Sequence, residues 1–287
     1  MKISFLDFWD PFDPSKNFFI DLFKDIYGNV ELSHPSDSDV IFYGPFGNQH
    51  SVFNPKEKVK IFVTGENVRP DFNQCTYSFS FDFEDYGGKN IRLPLWFLQI
   101  DWFGKGGYGN PEFMMPLSKL ITNEYIETPK TKFCVLMSNK LVQNRVDCVN
   151  KLNLYKNVDC YGKPFGNWQY GESQKYDVFS KYKFSICFEN SFAPNGGYYT
   201  EKLIHAKLAG TIPLYYADDK VGRDFNIDSF INLNDFKSMD EFVARVVEVD
   251  NDNSEYLRIK NSPLFKNNPD ESTLQELKNK VKELFKI

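Results

Sequence analysis

The strand-like run Tyr182-Lys-Phe-Ser-Ile-Cys-Phe188 ends in Glu189, Asn190 and Ser191, and after six further residues comes Tyr198-Tyr-Thr-Glu-Lys-Leu203. Carboxylate, amide, hydroxyl and ammonium groups gathered at the end of an apolar strand are suited to holding a polar ligand. Phe184, Ile186 and Phe188 alternate with Lys183, Ser185 and Cys187, the period of a half-buried strand, which places Glu189-Asn190-Ser191 at its carboxyl end. In α/β sheets that edge is where ligands bind.

Ala193-Pro-Asn-Gly-Gly197 has the composition of a turn, and Thr200 to Gly210 carries Leu203, Ala206 and Leu208 on a helical stripe closed by glycine. Thr211-Ile-Pro-Leu-Tyr-Tyr216 reads as the next strand. Strand, Gly-rich loop, helix and strand form a unit whose helix start can hold an anion such as a diphosphate. Lys202 is an odd resident of a first helical turn, where a cation costs roughly 0.3–1 kcal/mol unless an anion accompanies it. In this loop we read it as a phosphate ligand; the alternative is a solvated surface lysine.

Three blocks resemble one family. Phe188-Glu-Asn-Ser191, Tyr198-x-Thr-Glu-Lys202 and Ala209-Gly-Thr-Ile-Pro213 are similar to the donor-binding signature of the α-1,3/4-fucosyltransferases. Lys60-Ile-Phe-Val-Thr-Gly-Glu-Asn-Val-Arg-Pro-Asp-Phe72 resembles that family's amino-terminal segment, with Ile91-Arg-Leu-Pro-Leu-Trp96 as its following strand. Met137-Ser-Asn-Lys140 with Arg145 resembles the opening of its donor domain. The blocks stand in the family's order across roughly residues 40 to 216.

The resemblance implies an α/β protein of GT-B architecture, with two Rossmann-like domains, a cleft between them and a C-terminal helix. It implies an inverting, metal-independent glycosyltransferase that moves fucose from GDP-fucose to an oligosaccharide hydroxyl, expected to be O3 of N-acetylglucosamine. The expected domains are residues 1–125 on the acceptor side, 126–268 for the nucleotide sugar, and 269–287 as a final helix packing back on the first domain. A peripheral membrane helix is the alternative for that last segment, since its lysines suit anionic lipid. Other readings keep the fold with a different nucleotide-sugar donor, or keep the pocket without catalysis.

Inversion needs a base that takes the acceptor hydroxyl proton as oxygen attacks the anomeric carbon. Glu66 follows Thr64-Gly65 at the end of an apolar strand, and the resemblance assigns the base to it; from spacing alone it is equally a loop carboxylate capping nearby amides. By the same resemblance Glu201 would bind the ribose hydroxyls, while Lys202 and Arg145 would neutralise the departing diphosphate. Tyr198 would border the phosphates, and Asn190 and Ser191 would lie near nucleotide or sugar. Glu189 would lie near the donor sugar or act as a structural acceptor. Ser138 and Asn139 would cap a helix or present amides to phosphate. His205 is given no role, and Ala217-Asp218-Asp219 departs from the family pattern by adding acids that would repel an anionic donor unless they point away.

Composition sets the remaining bounds. With 287 residues, 41% hydrophobic and 25% charged, the chain can bury two ordinary cores. Its 29 Phe and 16 Tyr belong mostly to those cores, while Trp9, Phe12, Tyr43, Phe46, Trp96 and Trp102 are candidates for an acceptor platform. A net charge of −5 argues against a nucleic-acid groove, which needs clustered Lys and Arg. Five scattered cysteines without a CxxC pair suggest free thiols in a reducing compartment, and neither a disulfide framework nor a zinc site. The acidic Asp7 interrupts the amino terminus, and nowhere does the chain approach the roughly 20 apolar residues of a membrane span, so a cytoplasmic protein without signal peptide is expected. Asp37-Ser-Asp39 and Asp250-Asn-Asp252 fit a metal-binding D-x-D pattern, but their turn-rich settings read as structural. No cofactor or metal is expected; oligomeric state is left open.

Strand and helix signals alternate along the chain. Lys2–Phe8, Val40–Tyr43, Val59–Val63 and Phe133–Met137 read as strands; Lys16–Tyr27, Asp240–Val249 and Ser272–Ile287 read as helices. Phe103–Pro116 followed by Asn123–Thr131 is the expected interdomain connection.

Overall fold

A computed structural model describes residues 1–105, 108, 115–122, 128–166, 174–191 and 196–285. Most of the expected turn at Ala193–Gly197, and much of the connection at Phe103–Pro116 and Asn123–Thr131, lie outside the described residues. The chain divides into two compact units, one of residues 1–116 with 270–287 and one of residues 117–269. That division falls within the expected connection, nine residues ahead of the boundary anticipated at 125/126.

The first unit begins with β1 (Lys2–Leu6), α1 (Phe18–Tyr27), β2 (Glu31–Leu32), β3 (Val40–Tyr43), β4 (Val59–Val63), β5 (Tyr77–Ser80) and β6 (Asn90–Arg92). All six strands are parallel, in the order β2-β1-β3-β4-β5-β6. Each residue of β3 is buried, as expected of a parallel strand covered on both faces. Helix α1 starts at Phe18 rather than Lys16 because the Asn17 side chain accepts from the Ile20 amide; it stops at Gly28, whose φ of 77° suits glycine. The segment expected as a strand through Trp96 ends at Arg92, since Pro94 withholds a ladder donor, and Leu95–Gln99 forms a 3₁₀ turn. Two short strands, β7 (Ile100–Asp101) and β8 (Met115–Pro116), pair in parallel.

The second unit contains α2 (Leu117–Thr122), β9 (Lys132–Met137), α3 (Gln143–Leu152), β10 (Val158–Tyr161), α4 (Lys175–Phe179), β11 (Tyr182–Ile186), α5 (Lys202–Leu208), β12 (Ile212–Tyr215), β13 (Ile231–Asn232), α6 (Met239–Asn251) and α7 (Asn253–Asn261). Its five strands are parallel in the order β10-β9-β11-β12-β13. The chain leaves β9 in one direction to reach β10 and returns on the other side with β11. The gap between the carboxyl ends of β9 and β11 is therefore a topological switch point, where open α/β sheets hold ligands.

The last helix, α8 (Glu271–Leu284), belongs to the first unit and is opened by a capping box between Asp270 and Thr273. Leu274, Leu277 and Val281 are buried, Lys278 pairs with Asp25 of α1 at 2.5 Å, and Phe285 stacks on Tyr77 at 4.6 Å. This occupies the apolar face that an interfacial membrane helix would place in lipid, so the alternative of peripheral membrane contact loses its physical basis. No helix among the described residues is long and apolar enough to cross a membrane.

Both D-x-D sequences have structural work. Asp250 pairs with Lys183 at 2.5 Å and Lys156 at 2.6 Å, while Asp252 caps α7 through the Ser254 and Glu255 amides. Asp39 accepts from the Lys2 amide at 2.7 Å. The five cysteines are free thiols.

One buried lysine makes stability depend on pH. Lys207 of α5 is 1% exposed and donates to the Lys260 carbonyl at 2.8 Å near the end of α7; burial, with Lys260 adding to it, pulls its pKa down to about 7. An unfolded lysine holds its proton to about pH 10.4. Between these values the unfolded state binds more protons, so this lysine's contribution to stability rises from about pH 7 to pH 10 and is flat below pH 7. Denaturant unfolding of wild type and Lys207→Met across this range should show the wild type gaining up to a few kcal/mol relative to the variant. Parallel pH profiles would show that Lys207 does not titrate in this range.

Candidate functional site

At the switch point lies a cavity of about 250 Å³, lined by residues that follow β9 and β11 and by the starts of α4 and α5. Of the residues proposed from sequence, Ser138, Asn139, Arg145, Asn190, Glu201 and Lys202 line it together. Lys140 and Lys175 join them. The cavity is thus bordered by Arg145, Lys140, Lys175 and Lys202 against the carboxylate of Glu201, an excess of positive charge suited to a phosphorylated ligand.

The wall after β9 is a tight turn. The Ser138 hydroxyl donates to the Lys140 carbonyl at 2.7 Å and accepts from the Lys140 amide at 3.1 Å. Helix α3 begins only at Gln143, after Val142, which provides no side-chain cap. Ser138 and Asn139 therefore do not cap this helix, and the capping expectation is corrected: the chain needs the Ser138 turn first. Asn139 instead accepts from the Lys163 amide through Oδ1 at 3.3 Å. Gly162, with φ 129°, packs so tightly against this turn that a Cβ would lie 2.0 Å from the Ser138 carbonyl oxygen. Gly162→Ala should destabilise the second unit by on the order of 2–3 kcal/mol and weaken ligand binding at the Ser138 turn, measurable by thermal unfolding and calorimetry. Unchanged unfolding and affinity would contradict the packing.

Arg145 is 3% exposed and braces the cavity. Its guanidinium donates to the Phe188 carbonyl, to the Ser138 hydroxyl at 2.8 Å, to the Lys140 carbonyl at 2.9 Å and to Asn190 Oδ1 at 2.9 Å. The fork ties the end of β9 to the end of β11, so it fixes the cavity's shape as well as contributing charge. Burial lowers its pKa, with Glu189 and Glu201 opposing that shift.

Glu189 lies beneath the cavity, 5% exposed. Its carboxylate accepts from the Thr200 amide at 2.9 Å, the Thr200 hydroxyl at 2.9 Å, the Tyr215 hydroxyl at 2.7 Å and Lys202 Nζ at 2.8 Å. This is the acceptor hub that orders the start of α5. It also explains Lys202 at the positive end of a helix: the required anion is Glu189. Burial would lower the Lys202 pKa, but Glu189 and Glu201 outweigh it and hold the ammonium above its ordinary value. For Glu201, burial raises the pKa, yet the positive charge around it, Lys202 foremost, prevails and keeps the carboxylate well below its usual range. Glu201 is therefore ionised and acceptor-only near neutral pH, the form that can receive hydroxyl donors.

Tyr198 is buried and near both Arg145 and Lys202, whereas Ser191 is exposed. The departing acids do not face the cavity. Asp218 accepts from the Tyr199 hydroxyl and the Lys220 amide, both at 2.8 Å, and fits closely against Gly196, while Asp219 is exposed. Cys187 does line the cavity, but burial pushes its thiol up to about 11, which makes it a packing group rather than a nucleophile.

Sequence reasoning missed Lys175. It lies 30 residues before its contact His205, and nothing in local spacing marks it. Glu66 belongs to the first unit, in the loop after β4, with its side chain exposed. The Thr64 hydroxyl accepts from the Glu66 amide at 3.0 Å and donates to the Glu66 carbonyl at 2.8 Å. Thr64 thus closes the turn through the Glu66 backbone.

Residues 3–99 match the model of the alpha-(1,3)-fucosyltransferase FucT N-terminal domain, and residues 126–261 match that of glycosyltransferase family 10 (fucosyltransferase), C-terminal part. The chain is 27% identical over 241 residues to an alpha-(1,3)-fucosyltransferase of Helicobacter pylori, covering 77% of this chain and 50% of that protein. A putative fucosyltransferase of Acanthamoeba polyphaga mimivirus is 28% identical over 256 residues, with 84% of this chain and 39% of that protein covered. The chain thus spans about half or less of the length of these relatives. In structure it resembles an alpha1,3-fucosyltransferase solved with GDP-fucose, at a TM-score of 0.76, 24% identity and coverage of 100% of this chain and 90% of the other. HepE of Anabaena, solved with UDP-glucose, shares the fold more distantly, at a TM-score of 0.52, 10% identity and coverage of 99% and 98%. Two parallel α/β sheets of GT-B type and two family matches that together run from residue 3 to residue 261 show that this chain belongs to the fucosyltransferase family, glycosyltransferase family 10.

Proposed function

We propose that the protein is an inverting fucosyltransferase that takes fucose from GDP-fucose and places it on a hydroxyl of an oligosaccharide, O3 of N-acetylglucosamine. The observation that carries this reading is the cation-bordered cavity at the switch point of the second unit. A diphosphate there meets Lys202, Lys175 and Lys140 over the Arg145 brace, while Glu201 receives the ribose hydroxyls. Asn190, Ser191 and Tyr198 complete the donor surroundings, and Glu189 orders them from below. These side chains supply the positive charge that a metal provides elsewhere, so donor binding and leaving-group stabilisation proceed without one. A related mouse protein, 33% identical over 142 residues that cover 47% of this chain, is named 4-galactosyl-N-acetylglucosaminide 3-alpha-L-fucosyltransferase 9, which supports the acceptor class.

Glu66 is the base in this reading, removing the acceptor proton as the C–O bond to GDP breaks and the bond to the acceptor oxygen forms. It follows β4 at the carboxyl edge of the first sheet. Of the aromatic candidates, Tyr43, Trp96 and Trp102 are buried and Phe12 is half-buried, whereas Trp9 is 40% and Phe46 50% exposed, so the last two are the most open to stacking on a sugar. The expected setting is the cytoplasm, with nucleotide sugar and glycan as partners and no nucleic acid.

Calorimetry of GDP and GDP-fucose against GDP-mannose and UDP-sugars, in chelator, tests the donor reading. Binding of GDP with preference for GDP-fucose is expected, followed by acceptor-dependent release of GDP. Binding only of a uridine sugar, or only with added metal, overturns it; GDP-fucose binding without GDP release for any acceptor leaves a non-catalytic binder.

A further inference from the structure

His205 stands one turn into α5, 5% exposed, and its Nδ1 is 3.0 Å from the ammonium nitrogen of Lys175, the first residue of α4. An ammonium has only donors, so Nδ1 must offer its lone pair and the ring proton resides on Nε2. The ring is further fixed edge-to-face against Tyr176, 5.7 Å between centroids at 79°. Among the described residues, the ionisable groups facing it include Lys175 and Tyr176 from α4 and Glu201 and Lys202 at the start of its own helix. Burial pushes the imidazole well below its ordinary value, and Lys175 adds to that while Glu201 opposes it, so the ring remains an acceptor at neutral pH.

Lysine is a compact charge on a flexible stem, and holding it over a cavity needs a partner. The His205 imidazole, an acceptor that carries no opposing charge, is one such partner. We infer that His205 is a positioning residue for donor binding, which aims the Lys175 ammonium into the cavity. The inference rests on the donor-site reading above. It gives a role to a histidine that its sequence context left without one, and to a lysine whose local spacing is silent.

The test is a double-mutant cycle read as GDP affinity by calorimetry in chelator, with thermal unfolding recorded for each protein. Lys175→Met should weaken GDP by about tenfold, as expected for loss of one charge-assisted contact. His205→Phe, which keeps the volume and removes the acceptor, should weaken it by roughly fivefold, and the double variant should bind no worse than Lys175→Met alone. His205→Asn, whose Oδ1 stands near the Nδ1 position, should restore most of the affinity. If His205→Phe does not fold, the smaller His205→Leu takes its place in the cycle. Wild-type affinity in His205→Phe, full multiplicativity of the two losses, or failure of Asn to rescue overturns the positioning role while the donor site stands. Absence of GDP binding in the wild type overturns both.

Discussion

Glu66→Gln is expected to lower kcat by about 10²–10⁴-fold, the usual worth of a general base, with GDP affinity unchanged. Glutamine keeps the volume of the side chain and one carbonyl oxygen but cannot take a proton. The Glu66 side chain is exposed, and the turn that carries it is closed by Thr64 through the Glu66 backbone. Loss of turnover should therefore come with an unchanged unfolding midpoint. Steady-state kinetics beside GDP calorimetry decides the matter. Turnover within a few-fold of wild type would remove Glu66 from the mechanism without affecting the donor site.

Lys202→Met should have the larger effect on the protein as a whole. It removes a cation from the cavity and leaves Glu189 buried with its strongest partner gone, and breaking a buried pair from one side costs on the order of 3–5 kcal/mol. The Thr200 amide and hydroxyl and the Tyr215 hydroxyl still reach Glu189, which sets the outcome nearer the lower figure. Thermal unfolding should show the loss, and GDP binding should fall by at least tenfold. The double variant Glu189→Gln with Lys202→Met should regain part of the stability and none of the binding, because it removes the orphaned charge but not the need for a cation. If the double variant is as unstable as the sum of the singles, the two residues are not coupled as the 2.8 Å contact indicates.

Much of the fold was legible in the sequence because parallel strands are buried on both faces and read as short apolar runs: Val40–Tyr43 and Val59–Val63 appear where expected. Tyr77-Ser-Phe-Ser80 was not read as a strand, since its serines are satisfied by the Asn90 side chain, a contact between strands. In the site, Arg145, Glu201 and Lys202 were found from motif blocks, and the cavity brings them together. Lys175 and the work of His205 were not, because their meeting depends on α4 packing beside α5. The capping role expected for Ser138 and Asn139 failed for a related reason: spacing placed them before a helix but could not show the intervening turn.

The first unit takes its final helix from sequence that follows the second, so the two units differ in when a growing chain can complete them. Every residue of the second lies within 117–269, and its sheet can close as soon as that stretch is free. The first unit emerges earlier but is finished later. Until α8 has been synthesised, Tyr77 and Phe79 of its β5 lack the cover of Phe285. The unit translated first is the last to be sealed.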